Sequence, residues 1–97
     1  MKTYVVLRRA AWRSTDEQRE AVERSTAVGE RMSDDVRRIR SYVLAEPDGR
    51  VGMVCVYEAT SPEAIRIHAR LADLPLDEIL GVADTLVIRP DPAEIHV

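Results

Sequence analysis

The residue with the most chemical reach in this sequence is His68. Ala64, Ile65, His68, Ala69, Leu71 and Ala72 fall on one broad face at i, i+3, i+4 and i+7 spacing. An imidazole in the middle of an apolar helical stripe has two uses. It is a core histidine bonded to a carbonyl or hydroxyl, or it is a ligand or general acid–base in a cleft between helix and sheet. If the protein is an enzyme, His68 is its catalytic candidate. Cys55 and Glu58 are the candidate partners, because His68, Glu58 and Cys55 together offer the imidazole, carboxylate and thiolate that nickel, copper or zinc accept. Cys55 and Glu58 stand three positions apart in a strand-like segment, so they face opposite sides unless a bulge intervenes. Tyr57 shares the side of Cys55, and Val56 shares the side of Glu58. A metal site is therefore thin within one chain and fuller if two chains contribute. The structural alternatives are a small buried thiol for Cys55, a solvated strand end or salt bridge for Glu58, and a tail position for His96.

Arg8, Arg9, Trp12, Tyr42 and Tyr57 are the candidates for binding an organic ligand. A guanidinium at a strand end grips a carboxylate in two-pronged fashion, and aromatic side chains wall an apolar pocket with a polar tip. The alternative is surface arginines and core aromatics. The sequence contains no Gly-rich phosphate loop, no nucleophile elbow, no His pair at i, i+4 and no dinucleotide fingerprint.

The elements that must position these residues follow from pattern. Residues 3–8 read as a first strand, rich in Tyr, Val and Leu. Ser14-Thr15-Asp16-Glu17 is a capping-box pattern that opens a helix to about residue 31, with Ala21, Val22, Ser25, Val28 and Met32 as a thin apolar stripe. Residues 36–46 form a second strand. Glu46-Pro47-Asp48-Gly49-Arg50 is a turn, with Pro presetting φ and Gly accepting φ > 0, and residues 51–59 return as the third strand. Thr60-Ser61-Pro62-Glu63 starts a second helix to about residue 72. Residues 74–80 read as a short extra turn of helix, 82–89 as the last strand, and 90–97 as a tail that is loose or reaches over a partner.

The order β-α-β-β-α-β predicts an α+β fold of ferredoxin-like type over residues 1–97: a four-stranded antiparallel sheet with both helices on one face. The third strand is apolar at both parities, with Val51, Met53, Cys55 and Tyr57 on one side and Val54 and Val56 on the other. The first strand repeats this, Tyr4 and Val6 against Val5 and Leu7. A sheet apolar on both faces needs a second cover, which a homodimer supplies.

Composition bounds the function. The chain has 97 residues, 45% hydrophobic and 32% charged, the profile of one globular domain. A net charge of −3, with one Trp and three Tyr spread along the chain, argues against nucleic-acid binding. No stretch approaches the ~20 apolar residues of a membrane span. The first apolar run is too short for a signal peptide and is followed by arginines, so a cytoplasmic location is expected. One cysteine excludes an intrachain disulfide.

Three stretches carry a family resemblance: Cys55-Val56-Tyr57-Glu58-Ala59, Ala64-Ile65-Arg66-Ile67-His68-Ala69-Arg70, and Ala72-Asp73-Leu74-Pro75-Leu76-Asp77-Glu78-Ile79. A strand ending in Tyr-Glu-Ala, a helix carrying His-Ala and a Pro-x-Asp-x-Ile turn are similar to a group of small bacterial proteins, the nickel-binding-protein-like domain of unknown function. Arg40-Ser41-Tyr42-Val43 resembles the second strand of that group. The resemblance implies a ferredoxin-like fold, a dimer, and nickel or another divalent metal as ligand, with His68, Glu58 and Cys55 at matching positions. One departure stands out: Arg8-Arg9-Ala10-Ala11-Trp12 occupies the place after the first strand where an acid or histidine is expected. Cations there oppose a metal and favour an anionic, carboxylate-bearing organic ligand. Two readings result, a small-ligand- or metal-binding protein without turnover, and a cofactor-independent cyclase, isomerase or monooxygenase of the dimeric α+β barrel kind with His68 as acid–base.

Overall fold

The computed structural model describes residues 1–92. Six elements follow the order β1 (Lys2–Trp12), α1 (Thr15–Arg31), β2 (Val36–Ala45), β3 (Val51–Ala59), α2 (Pro62–Leu71) and β4 (Glu78–Gly81). The strands form one antiparallel sheet in the order β2-β3-β1-β4. Both helices start where a hydroxyl stops the chain from fraying. Ser14 Oγ accepts from the Glu17 amide at 3.2 Å and Ser61 Oγ from the Ala64 amide at 3.2 Å.

The alternation of β1 and β3 divides the sheet. Tyr4, Val6, Val51, Met53, Cys55, Tyr57 and Ala59 are buried beneath the helices, where Ala21, Ala64 and Ile65 meet them. Val5, Leu7, Val54 and Val56, on the other face, are half-buried. The core is therefore one sandwich of sheet and helices, and the second apolar face stays partly open. In α1, Ala21, Ser25 and Val28 of the expected stripe are buried, together with Gln18. In α2, Leu71 departs from the expected stripe: it is exposed, in the last turn of the helix.

Three expectations change. The first strand does not end at residue 8 but continues to Trp12, across a register shift between Arg8 and Trp12 where Ala10 takes a φ of 47°. Arg8 is thus inside the strand rather than at its end. Residues 74–80 are not a turn of helix, and the last strand is Glu78–Gly81, not 82–89. Pro75 biases Leu74 away from the helical region, and pairing with β1 claims the segment that follows, Ile79 aligning with Val6 in the ladder. The Asp77 amide donates to the Leu7 carbonyl at 2.9 Å and the Val82 amide to the Thr3 carbonyl at 3.0 Å, closing the ladder at both ends. Leu86, Val87 and Ile88, whose β-propensity suggested the strand, lie exposed and outside any strand. Of the expected tail, residues 93–97, including His96, lie outside the described residues.

Candidate functional site

β1 runs Tyr4, Val6, Arg8 along its helix-facing side. That parity carries Arg8 into the interior, where it is 1% exposed. Across the sheet, β3 presents Cys55 and Tyr57 on the same side, each 1% exposed. His68 comes down from α2 with 2% exposure. The Tyr57 and His68 rings meet edge-on, centroids 5.9 Å apart. The Arg8 Cζ lies 5.8 Å from the Tyr57 ring centroid, within cation–π range.

His68 Nε2 stands 3.1 Å from the Ser25 carbonyl of α1. A carbonyl only accepts, so Nε2 carries the proton and Nδ1 is left as a bare acceptor in the neutral ring. Burial holds the His68 pKa below its ordinary value; the Ser25 carbonyl works against that, and the Arg8 and Arg38 charges reinforce it. Burial likewise raises the Tyr57 pKa, so its hydroxyl is a protonated donor at neutral pH. Among the described residues, Tyr57 Oη, His68 Nδ1 and the three Arg8 guanidinium nitrogens form no hydrogen bond of good geometry, although Arg8 lies close enough to Tyr57 to work against the effect of burial on its hydroxyl.

A cavity of about 290 Å³ opens above this group. Tyr57 and His68 lie on its wall, and Ser25, Gly29, Arg37 and Arg38 are among its other lining residues. Arg38 is engaged with α1, through Nη1 to Ser25 Oγ at 3.0 Å and Nη2 to Thr26 Oγ1 at 3.3 Å. Gly29 keeps the wall open: a Cβ there would stand 3.6 Å from His68 Nε2.

The other expected site residues are elsewhere. Glu58 faces away from Cys55, half-exposed, with the Arg37 guanidinium 4.0 Å away. Arg9 turns outward and grips Glu46, Nε at 3.0 Å from both oxygens and Nη2 at 2.8 Å from Oε1. The Glu46 carboxylate also accepts the Ala10 amide at 2.6 Å, so it ties down the irregular turn of β1. Arg9 is the main cause holding Glu46 below the usual carboxylate range. Trp12 is buried at the far end of β1 in the core. Tyr42 sits on the open face, where its hydroxyl donates to Asp91 Oδ1 at 2.9 Å beside Arg40. The structure therefore unites Arg8, Tyr57 and His68, keeps Cys55 on the same face, and separates Arg9, Trp12, Tyr42 and Glu58 from them. Ser25 stands in the expected stripe but not among the expected site residues, and Gly29 and Arg38 are absent from both; the i, i+4 spacing of Ser25 and Gly29 on the inner side of α1 is the signal that links two of them to the site.

Residues 4–82 match the family model described as nickel responsive protein SCO4226-like. Among solved structures, the crystal structure of SCO4226 from Streptomyces coelicolor A3(2) superposes with a TM-score of 0.67 at 21% identity, covering 87% of this chain and 99% of that one. No curated protein matches the chain.

Proposed function

We propose that this chain, which belongs to the SCO4226-like family of nickel-responsive proteins, is a cytoplasmic ferredoxin-like homodimer that binds a small organic ligand without turning it over. The ligand sits in the cavity between α1, α2 and the sheet. One observation carries the reading: the Tyr57 hydroxyl and His68 Nδ1 are buried, have no hydrogen-bond partner among the described residues, and belong to residues lining a cavity of about 290 Å³. Buried polar groups are ordinarily satisfied, so an unmatched pair on a cavity wall is a set of contacts waiting for a ligand. That volume is at the small end of ligand pockets, which run from roughly 300 to 1,000 Å³.

The same residues do not fit nickel within one chain. Among the described residues no group of three or more His, Cys, Asp and Glu side chains converges as a metal site. His68 Nε2 is held by Ser25, Glu58 is on the other face, and the positive charge of Arg8 bears on His68. Support for the dimer comes from the open face: Val5, Leu7, Val54 and Val56 are only half-covered, and Leu86, Val87 and Ile88 are 82%, 73% and 85% exposed. Turnover through His68 rests on fold analogy alone.

Calorimetric titration of tag-free protein tests the binding reading, with nickel chloride in one series and a panel of small neutral and charged organic molecules in the other. Saturable organic binding, weakened by Gly29→Leu as the new side chain fills the wall, is the expected result. Sub-micromolar nickel binding that His68→Ala abolishes, with no organic molecule bound, overturns it. Sedimentation at micromolar concentration tests the dimer, which a single monomeric species removes.

A further inference from the structure

Arg8 is the least explained residue in the molecule. It is 1% exposed, and among the described residues its guanidinium nitrogens Nε, Nη1 and Nη2 form no hydrogen bond of good geometry. A buried charge is ordinarily paired, because removing it from water is costly and only a counter-charge with good geometry compensates. The described carboxylates that form ion pairs are committed to other cations, Glu46 to Arg9, Glu58 to Arg37 and Asp91 to Arg40 among them. The one acid on the cavity wall, Glu30, is exposed. Arg38 lines the same cavity and bonds hydroxyls rather than a carboxylate, so with Arg8 the surroundings carry positive charge.

The unpartnered groups define what they lack. Arg8 offers a planar fork of donors with a full positive charge, and Tyr57 offers an O–H. His68 offers the opposite, since its Nε2 proton is spent on the Ser25 carbonyl at 3.1 Å and Nδ1 is a lone pair. The complement of this set is an anion with two oxygens in one plane, which takes the fork, next to a group that donates a hydrogen bond. An ammonium would be repelled by Arg8, so the donor is a neutral group, of which a hydroxyl is the smallest.

We infer that the ligand of this site is a small hydroxycarboxylate whose carboxylate pairs with Arg8 and Tyr57 and whose hydroxyl donates to His68 Nδ1. The inference rests on the ligand-binding reading above and adds the chemical class. Arg8 does not itself line the cavity but lies against Tyr57 on its wall, so the ion pair requires the guanidinium to reach past Tyr57 toward the cavity. The cavity of about 290 Å³ admits molecules of a few carbon atoms.

The test titrates lactate, propionate and lactamide into wild-type protein and into Arg8→Met, Arg8→Lys and Tyr57→Phe. Wild-type protein is expected to bind lactate, with lactamide, which keeps the hydroxyl and loses the charge, weaker by roughly 10- to 100-fold. Propionate, which keeps the charge and loses the hydroxyl, is weaker by roughly 10-fold. Arg8→Met is expected to fold and to lose lactate binding. Should Arg8→Met not fold, Arg8→Lys, which keeps the charge without the fork, is expected to bind lactate about 10-fold less tightly. Equal affinity for lactate and lactamide, or undiminished lactate binding in folded Arg8→Met or Arg8→Lys, overturns the role of Arg8. Equal affinity for lactate and propionate overturns the hydroxyl contact. In each of these cases the cavity still binds an organic molecule and the broader reading survives. If no organic molecule binds wild-type protein, the broader reading falls with the inference.

Discussion

The two faces of this sheet carry similar side chains and treat them in opposite ways. On the open face, Arg40 and Tyr42 converge on Asp91, and Arg37 approaches Glu58; every one of these groups stays in contact with water. Beneath the helices, Arg8, Tyr57 and His68 are buried, and five of their polar atoms have no hydrogen-bond partner among the described residues. Screened surface pairs contribute little and tolerate change. A buried, unmatched charge destabilises the protein that carries it. The charges of the open face are solvated, whereas those of the covered face are the groups on which the proposed binding site rests.

Substitutions that remove apolar bulk test that contrast first. Met53→Ala, on the covered face, is expected to cost about 2–5 kcal/mol in urea denaturation. Leu7→Ala, on the half-covered face, costs about 1 kcal/mol or less in the monomer, and a loss that grows with protein concentration would show that a second copy covers it. Charge removal comes next, and the two faces should differ in sign. Arg8→Met is expected to stabilise the ligand-free protein by about 1–4 kcal/mol, whereas Arg40→Ala, at a solvent-screened surface pair, leaves stability nearly unchanged. A large loss of stability in Arg8→Met would mean that the guanidinium is satisfied after all.

Proton linkage separates the faces by pH. The folded-state pKa of His68 lies below its unfolded value of about 6.5. Its contribution is therefore complete above that value and is lost as pH falls through the depressed folded-state pKa. Asp91 is held below the usual carboxylate range, chiefly by the Tyr42 hydroxyl and then by Arg40, so its contribution disappears only at more acidic pH. Urea midpoints measured from pH 8 to pH 3 should thus show an early decline that His68→Gln flattens and a late one that Asp91→Asn flattens. The smallest effect is expected from Gly29→Ala. A helix-interior glycine lost to alanine adds about 0.5–1 kcal/mol, while the new methyl, 3.6 Å from His68 Nε2, narrows the cavity. Higher thermal stability with weaker ligand binding is the signature that the cavity, not the fold, is what Gly29 preserves.

Much of this architecture was legible in the residues. Both hydroxyl caps, the hairpin over β2 and β3, and the interior placement of His68 follow from spacing and turn chemistry, because each depends on neighbours in sequence. β4 was misplaced because Thr85-Leu86-Val87-Ile88 has the stronger β-propensity, while Glu78-Ile79-Leu80-Gly81 gains its strand from pairing with β1, more than seventy residues earlier. The inner position of Arg8 was hidden by ending the first strand four residues early. Its parity with Tyr4 and Val6 was visible, but a strand end carries no parity. The expected separation of Cys55 and Glu58 onto opposite faces holds, and that same alternation disperses the metal donors that the family resemblance suggested.

The central place of β1 in the order β2-β3-β1-β4 has a consequence for how the chain is made. β1 precedes the rest of the sheet in synthesis, yet both of its neighbours, β3 and β4, come later. β2 and β3 can close as a hairpin by themselves, since a five-residue turn joins them. β1 has to wait with its edges bare and Arg8 in water until Val51–Ala59 has left the ribosome, and its last edge closes only with Glu78–Gly81. The docking of the oldest strand between the two youngest is thus a non-local event, the kind that slows folding, and the guanidinium reaches the interior only when that face is covered.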